Sequence, residues 1–459
     1  MKILLAASEA VPFAKTGGLA DVAGALTLAL EKLGNEVILV MPRYKIVTSD
    51  KSQVTSRKPY SIIGKNIKVY FIENDAYFNR DGLYGDKAGD YPDNLERFSY
   101  FSKQTLALVK KIKFKPDIIH VHDWQAALIP AYLKLLYKND PFYKKTRTLI
   151  TIHNLGYQGL FPKEEFPKVG IDPSYFDMEH FEFYGRLNIL KGGLVFSDMI
   201  NTVSDTYSKE IQASKFGFGL EGLLERRKKD LSGIINGIDY QIWSPQEDAF
   251  IAKKFSLKSI EDKNVNKADL QKHCGLPIKK DTPLIGIVSR LAEPKGFDII
   301  AELMEKFCAL DLQLVILGTG NAEYHELLSN LAKKYPKVLS VNLRFDDPLA
   351  HKIYAGSDIF LMPSKYEPCG LGQMISLHYG TIPVVFKTGG LADTVNSSNG
   401  FVFDQYSKDA FLSVVVEALN AFKNKKAWKT LVSKAMLGNY SWETSAKKYI
   451  KLYERCSKK

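Results

Sequence analysis

Short apolar runs recur along the chain and alternate with stretches whose apolar residues return every three or four positions. The runs Ile3 to Ala7, Val37 to Met41, Ile67 to Ile72, Asp117 to Val121, Thr148 to Ile152 and Met199 to Val203 read as buried strands. Asp21 to Lys32, Asn94 to Lys111, Trp124 to Tyr137 and Arg186 to Phe196 read as amphipathic helices. Strands alternating with helices predict a parallel sheet covered by helices. The pattern breaks after Asn236-Gly237-Ile238-Asp239, and Tyr240 to Lys280 reads as charged and turn-prone. It resumes with strands Leu284 to Val288, Leu312 to Leu317, Val338 to Val341, Ile359 to Met362 and Ile382 to Phe386, separated by helices Ala322 to Lys334, Leu349 to Ala355 and Leu371 to Tyr379. Two doubly wound α/β domains are therefore expected, residues 1–240 and 241–440, with an amphipathic tail at 441–459 returning to the first.

A length of 459 residues supports two hydrophobic cores, and no run approaches the roughly 20 apolar residues of a membrane span. A soluble, cytoplasmic protein is expected. The four cysteines are scattered without a C-x-x-C pair, which argues against a disulfide framework or structural zinc. The net charge of +12 comes from short, dispersed basic runs better explained as solvated faces than as a nucleic-acid surface. His120 and His122 share one strand face, but no further ligand lies at metal spacing nearby, so no metal site is expected.

Ligands of open α/β sheets bind beyond the carboxyl ends of the strands, and polar residues gather at those points. The string Lys-Thr-Gly-Gly-Leu-Ala-Asp occurs twice, at Lys15 to Asp21 and Lys387 to Asp393, each soon after a strand. Both copies can offer backbone N–H groups to a phosphate or sugar, or can simply make tight turns. His122-Asp123-Trp124 and His153-Asn154 follow strands of the first domain. In the second, Arg290 and Lys295 could clamp a diphosphate, and Gly318-Thr319-Gly320, Glu367-Pro368-Cys369-Gly370 and Thr388-Gly389-Gly390 follow further strands. Two long aromatic segments, Asn74 to Asp93 and Asn154 to Tyr184, suit stacking on sugar rings.

Lys15-Thr16-Gly17-Gly18-Leu19-Ala20-Asp21-Val22, His122-Asp123-Trp124, Thr151-Ile152-His153-Asn154, Asn236-Gly237-Ile238-Asp239, Ser289-Arg290-Leu291 with Lys295-Gly296, and Glu367-Pro368-Cys369-Gly370-Leu371 together resemble bacterial glycogen synthases and plant starch synthases. The resemblance runs from Met1 to the region of Trp442. It implies two Rossmann-like domains facing a central cleft, the GT-B arrangement. The implied reaction moves glucose from ADP-glucose to the non-reducing end of an α-1,4-glucan with retention, without cofactor or metal ion.

Carried onto this chain, the resemblance gives Lys15 and the Gly17 and Gly18 amides to the donor's distal phosphate, and Arg290 and Lys295 to the diphosphate. Glu367 and the amides around Cys369, Gly370 and Leu371 would bind glucose hydroxyls. His153 would hold the 6-hydroxyl, with its carbonyl near the anomeric carbon, and Asp123 would orient a sugar. Phe345 would stack on adenine where the family usually has tyrosine; Tyr91, Asn236, Thr388 and Gly389 are further substrate-binding candidates. Pro294, Gly372 and Phe386-Lys387 depart from the family pattern without removing a proposed catalytic group. A UDP-glucose donor and a non-catalytic glucan-binding role are the competing readings. Oligomeric state is not legible.

Overall fold

The computed structural model describes residues 1–49 and 60–459. Contacts divide the chain into two units, Met1–Asn236 with Trp442–Lys459, and Gly237–Ser441. The division falls before Ile238 rather than after Tyr240, because Ile238 pairs with Ser441 and the Tyr240 ring stacks on His378 at 4.1 Å.

The first unit is built on β1 (Lys2–Ala6), β2 (Glu36–Pro42), β3 (Tyr60–Ile63), β4 (Ile67–Ile72), β5 (Ile118–His122), β6 (Arg147–Ile152), β7 (Met199–Thr202) and β8 (Leu231–Gly233). Among the described residues they form one sheet in the order β8-β7-β6-β5-β1-β2-β4-β3. Every pairing is parallel except β3 with β4, an antiparallel edge that alternation did not reveal. Ile3, Leu4, Leu5, Ile118, Ile119, Leu149 and Ile150 are fully buried, as strands covered on both faces require. The C-terminal helix Trp442–Ser457 packs on β5, β6 and the first helix, α1 (Gly18–Lys32). Its Tyr449 hydroxyl accepts from Asn201 Nδ2 at 3.0 Å, and its Tyr453 hydroxyl lies 2.9 Å from His120 Nδ1.

The second unit carries β9 (Leu284–Val288), β10 (Gln313–Leu317), β11 (Leu339–Asn342), β12 (Ile359–Met362), β13 (Ile382–Phe386) and β14 (Phe401–Phe403). All pair in parallel, in the order β11-β10-β9-β12-β13-β14.

Three expectations need correction. The stretch Tyr240 to Lys280 contains a regular helix, Lys263–His273, whose buried positions are Asn266, Lys267, Leu270 and Gln271. A polar buried face carries no apolar periodicity. Lys267 Nζ is held by the Lys280 and Thr282 carbonyls and by Asp358 at 2.7 Å, while Lys263 Nζ donates to three carbonyls and to Thr381 Oγ1. Burial pulls the Lys263 pKa down to about 7. The helix predicted over Arg186 to Phe196 begins as a strand, Arg186–Asn188, and turns helical at Ile189 where the Asn188 side chain caps Lys191 N–H at 2.9 Å. Part of the aromatic segments is core rather than open surface: Phe78, Phe166 and Phe181 are buried, and the last two rings pack 5.5 Å apart, whereas Tyr157 and Tyr184 stay exposed.

Candidate functional site

In each unit the chain leaves one strand in opposite directions across the sheet, opening a crevice at the carboxyl ends. In the first unit the switch lies between β1, which leads on to β2, and its other neighbour β5. In the second it lies between β9, which leads on to β10, and β12. Lys15 and Asp123 follow the two strands of the first switch, and Arg290, Lys295 and Glu367 follow those of the second.

Beyond β1, Glu9 is only 3% exposed. Its carboxyl group receives the Thr16 backbone N–H, the Thr16 hydroxyl at 3.0 Å and the Tyr84 hydroxyl at 3.2 Å. Glu9 thereby ties down the loop that carries Lys15, and burial raises its pKa. Lys15 Nζ pairs with Asp21 Oδ1 at 2.8 Å and stays half exposed. Gly17 and Gly18 border open space: a Cβ on either would meet nothing within 4 Å.

Beyond β5, Asp123 takes a left-handed backbone conformation, φ +53°, unusual without a glycine. Its Oδ1 accepts the His153 backbone N–H at 2.7 Å, and Asn154 N–H also bonds the carboxyl group. Burial, reinforced by the nearby Glu9 carboxyl, pushes its pKa up to about 7 against the stabilising pull of these two amides. Asp123 therefore shapes the loop of His153. His153 Nε2 lies 2.9 Å from His122 Nδ1, and burial drives the His153 pKa down to about 3, so the ring is neutral.

Beyond β9, Arg290 is exposed and makes no ion pair among the described residues. Its neighbours in the chain are held on both sides, because Ser289 N–H donates to the Leu317 carbonyl at 3.1 Å and Leu291 N–H to the Thr319 carbonyl at 3.0 Å. Gly318 and Gly320 permit this approach; a Cβ on either would overlap the Ser289 or Leu291 carbonyl. Lys295 closes a short 3₁₀ turn, Glu293–Lys295, and its Nζ pairs with Glu367 Oε2 at 2.6 Å. Ser364 Oγ donates to the same oxygen at 3.2 Å.

The second copy of the repeated string lies behind Glu367. Gly389 sits at φ +41°, and Gly390 N–H donates to the Pro368 carbonyl at 3.1 Å. A Cβ on Gly389 would overlap the Glu367 carbonyl oxygen, and one on Gly390 the Cys369 carbonyl. Thr388 is 1% exposed. Gln373 Nε2 donates to the Cys369 and Gly370 carbonyls at 3.0 and 3.1 Å, orienting the turn that reaches Leu371 ahead of the helix Gly372–His378.

The profile of a starch synthase catalytic domain matches residues 2–226, and that of group 1 glycosyl transferases matches residues 271–431. The chain is 48% identical to a glycogen synthase of Geotalea uraniireducens over 99% of this chain and 98% of that protein. It is 46% identical to a glycogen synthase of Thermosipho melanesiensis over the full length of both. The chain belongs to the glycogen and starch synthase family. The catalytic domain of starch synthase IV from Arabidopsis thaliana, solved with ADP and acarbose, matches with a TM-score of 0.88 and 31% identity, covering 100% of this chain and 99% of that one. A sucrose-phosphate synthase from Thermosynechococcus elongatus matches with a TM-score of 0.64 at 16% identity, covering 99% of this chain and 98% of that one, and shares the fold alone.

This member of the family is thus a glycosyltransferase of the GT-B fold. Phe345 projects an aromatic ring that is 87% exposed from the turn after β11, an expense of apolar surface that a stacking ligand would recover. Tyr91 lies elsewhere in its loop: the Arg80 and Arg97 guanidinium groups sit 4.8 and 5.0 Å from its ring centroid, and its hydroxyl accepts from Gly82 N–H at 3.2 Å. It braces the loop. Asn236, at the boundary of the first unit, is buried with Oδ1 lacking a hydrogen-bond partner. Sequence reasoning missed Glu9 and His122 as supports of the site. The signal for Glu9 was a carboxylate inside an otherwise apolar stretch, seven residues before Thr16. Among the described residues no three His, Cys, Asp or Glu side chains gather as metal ligands, and no helix is long and apolar enough to cross a membrane.

Proposed function

We propose that this family member transfers glucose from ADP-glucose to the non-reducing end of an α-1,4-glucan with retention of configuration. The observation that carries this reading is the second unit's switch point, where an uncommitted Arg290 shares a loop with Lys295, already fixed on Glu367. Arg290 and Lys295 offset the charge that develops on ADP as the glycosidic bond breaks, supplying in the protein the positive charge a metal ion would otherwise bring. Glu367 accepts from glucose hydroxyls, the amides of Gly370 and Leu371 donate to them, and Phe345 stacks on adenine. In the first unit, Lys15 contacts the distal phosphate, and the open edge of Gly17 and Gly18 leaves room for it.

Retention by double displacement needs a free carboxylate nucleophile. Asp123 is buried and hydrogen-bonded to backbone amides, and its raised pKa leaves it only partly ionised near neutral pH, while Glu367 is ion-paired. Front-face attack fits better, with the departing phosphate taking the acceptor's proton and the neutral His153 steadying the sugar. We place the reaction in the cytoplasm, in keeping with cysteines scattered along the sequence without a C-x-x-C pair.

The test is nucleotide release from ADP-glucose and UDP-glucose, each with and without glycogen, alongside incorporation of labelled glucose. Release of ADP that requires glycogen and equals incorporation is expected. A preference for UDP-glucose would reassign the donor, and glycogen binding without turnover would leave a glucan-binding protein.

A further inference from the structure

Three imidazoles line up at the carboxyl end of the first sheet, and two of them answer differently to burial. The rings of His120 and His122 are tilted by 35° with centroids 4.2 Å apart, and those of His122 and His153 lie 5.2 Å apart. His120 uses both nitrogens, Nδ1 on the Tyr453 hydroxyl at 2.9 Å and Nε2 on the Thr151 hydroxyl at 2.7 Å. His122 uses only Nδ1, on His153 Nε2; its own Nε2 is enclosed without a hydrogen-bond partner among the described residues.

That one unpaired nitrogen decides the proton arrangement. Burial holds His122 and His153 well below the ordinary histidine pKa, so both rings are neutral and each carries one proton. Were His153 to donate from Nε2, the proton of His122 would have to sit on its own Nε2 as a buried N–H with no acceptor, which folded proteins rarely tolerate. A bare lone pair there is the milder defect. His122 Nδ1–H then donates to His153 Nε2, and the proton of His153 must lie on Nδ1.

We infer that His122 is a positioning residue that locks His153 in the Nδ1–H tautomer, so that His153 offers the ligand a donor and the ligand's hydroxyl oxygen must accept. What meets Nδ1 rests on the transferase reading above; the tautomer does not.

The test separates the two. Protein labelled with ¹⁵N-histidine is observed without ligand by long-range ¹H–¹⁵N correlation, with His153 assigned by its loss in His153→Asn. A protonated-type Nδ1 and an unprotonated-type Nε2 are expected for His153. A protonated Nε2 overturns the inference, whatever the enzyme's activity. His122→Leu should release the lock, giving the other tautomer or a mixture and lowering turnover about 10–100-fold with a smaller change in the KM for the donor. His122→Asn, whose amide N–H can take the place of Nδ1–H, should restore the pattern and most of the turnover. Leucine and asparagine variants equal in both tautomer and turnover would also overturn it.

Discussion

The same seven residues, Lys-Thr-Gly-Gly-Leu-Ala-Asp, are put to opposite uses in the two units. At Lys15 to Asp21 the glycines face open space, the lysine is half exposed, and the loop is anchored from beneath by Glu9. At Lys387 to Asp393 the threonine and both glycines are buried, and the glycines are pressed against the backbone of Glu367 to Cys369. The first copy leaves room for a ligand. The second is a wedge whose lack of side chains lets it support the residues that would touch one. A motif match therefore identifies a backbone shape, and what the shape serves depends on what packs against its Cβ positions.

The largest effects should come from the residues the wedge supports. Lys295→Ala and Glu367→Ala are expected to lower turnover about 100–1,000-fold, as removing a transition-state electrostatic contact does, with a melting temperature near that of the parent. Initial rates of glycogen-dependent ADP release check this; losses under about tenfold in folded variants would deny both residues their roles. Next, Gly390→Ala should cost about 1–3 kcal/mol of stability by overpacking against the Cys369 carbonyl, and should lose turnover as Glu367 shifts. Gly18→Ala should leave stability within about 1 kcal/mol, or raise it slightly at a helix start, while weakening donor use. Equal unfolding midpoints for the two alanine variants would erase the distinction between the copies.

Both sheets were legible because parallel strands buried on two faces are nearly continuous apolar runs, and Leu284–Val288, Ile359–Met362 and Ile382–Phe386 have the bounds the pattern predicts. The helix Lys263–His273 was not, since its buried face is held by lysine and amide hydrogen bonds to carbonyls rather than by apolar contact. At the site, residues that follow strands could be named individually, but their partners could not. The bonds of His122 to His153 and of Asp123 to the His153 amide join segments whose proximity is created by strand order, and that of Glu9 to Thr16 depends on how one loop folds back on itself. The burial of Thr388 was hidden for the same reason: only the position of Glu367 shows that its loop packs inward.

A smaller contrast separates the two lysines. Lys15→Ala should lower kcat/KM for the donor about 10–100-fold, the loss of one charge-assisted contact, whereas Lys387→Ala, on the exposed side of the wedge, should change it less than about twofold. Parallel steady-state measurements on both variants decide it. Similar losses would show that Lys387 takes over the place of the arginine usual in the family.

The smallest expected effect on turnover concerns Asp123, a buried carboxyl group held by backbone amides, in contrast to Glu367 with Lys295. Asp123 titrates near 3.8 when unfolded and at about 7 when folded. Below pH 4 both states are protonated and the group contributes nothing. Between about pH 4 and 7 the unfolded chain has lost a proton that the folded one keeps, so stability falls as pH rises; above pH 7 the penalty is constant. Asp123→Asn keeps a carbonyl oxygen for the His153 N–H and removes the charge. Its gain in stability over the parent should grow from under about 1 kcal/mol at pH 4 to about 4 kcal/mol at pH 8, about 1.4 kcal/mol for each of the roughly three pH units between the two pKa values, read from urea unfolding across that range. A gain independent of pH would mean that Asp123 ionises normally in the folded protein. The same variant divides the two roles open to this residue. If its carboxyl group only shapes the loop of His153, the amide should preserve turnover within about tenfold, whereas a sugar contact that requires a carboxylate would lose as much as Glu367→Ala does.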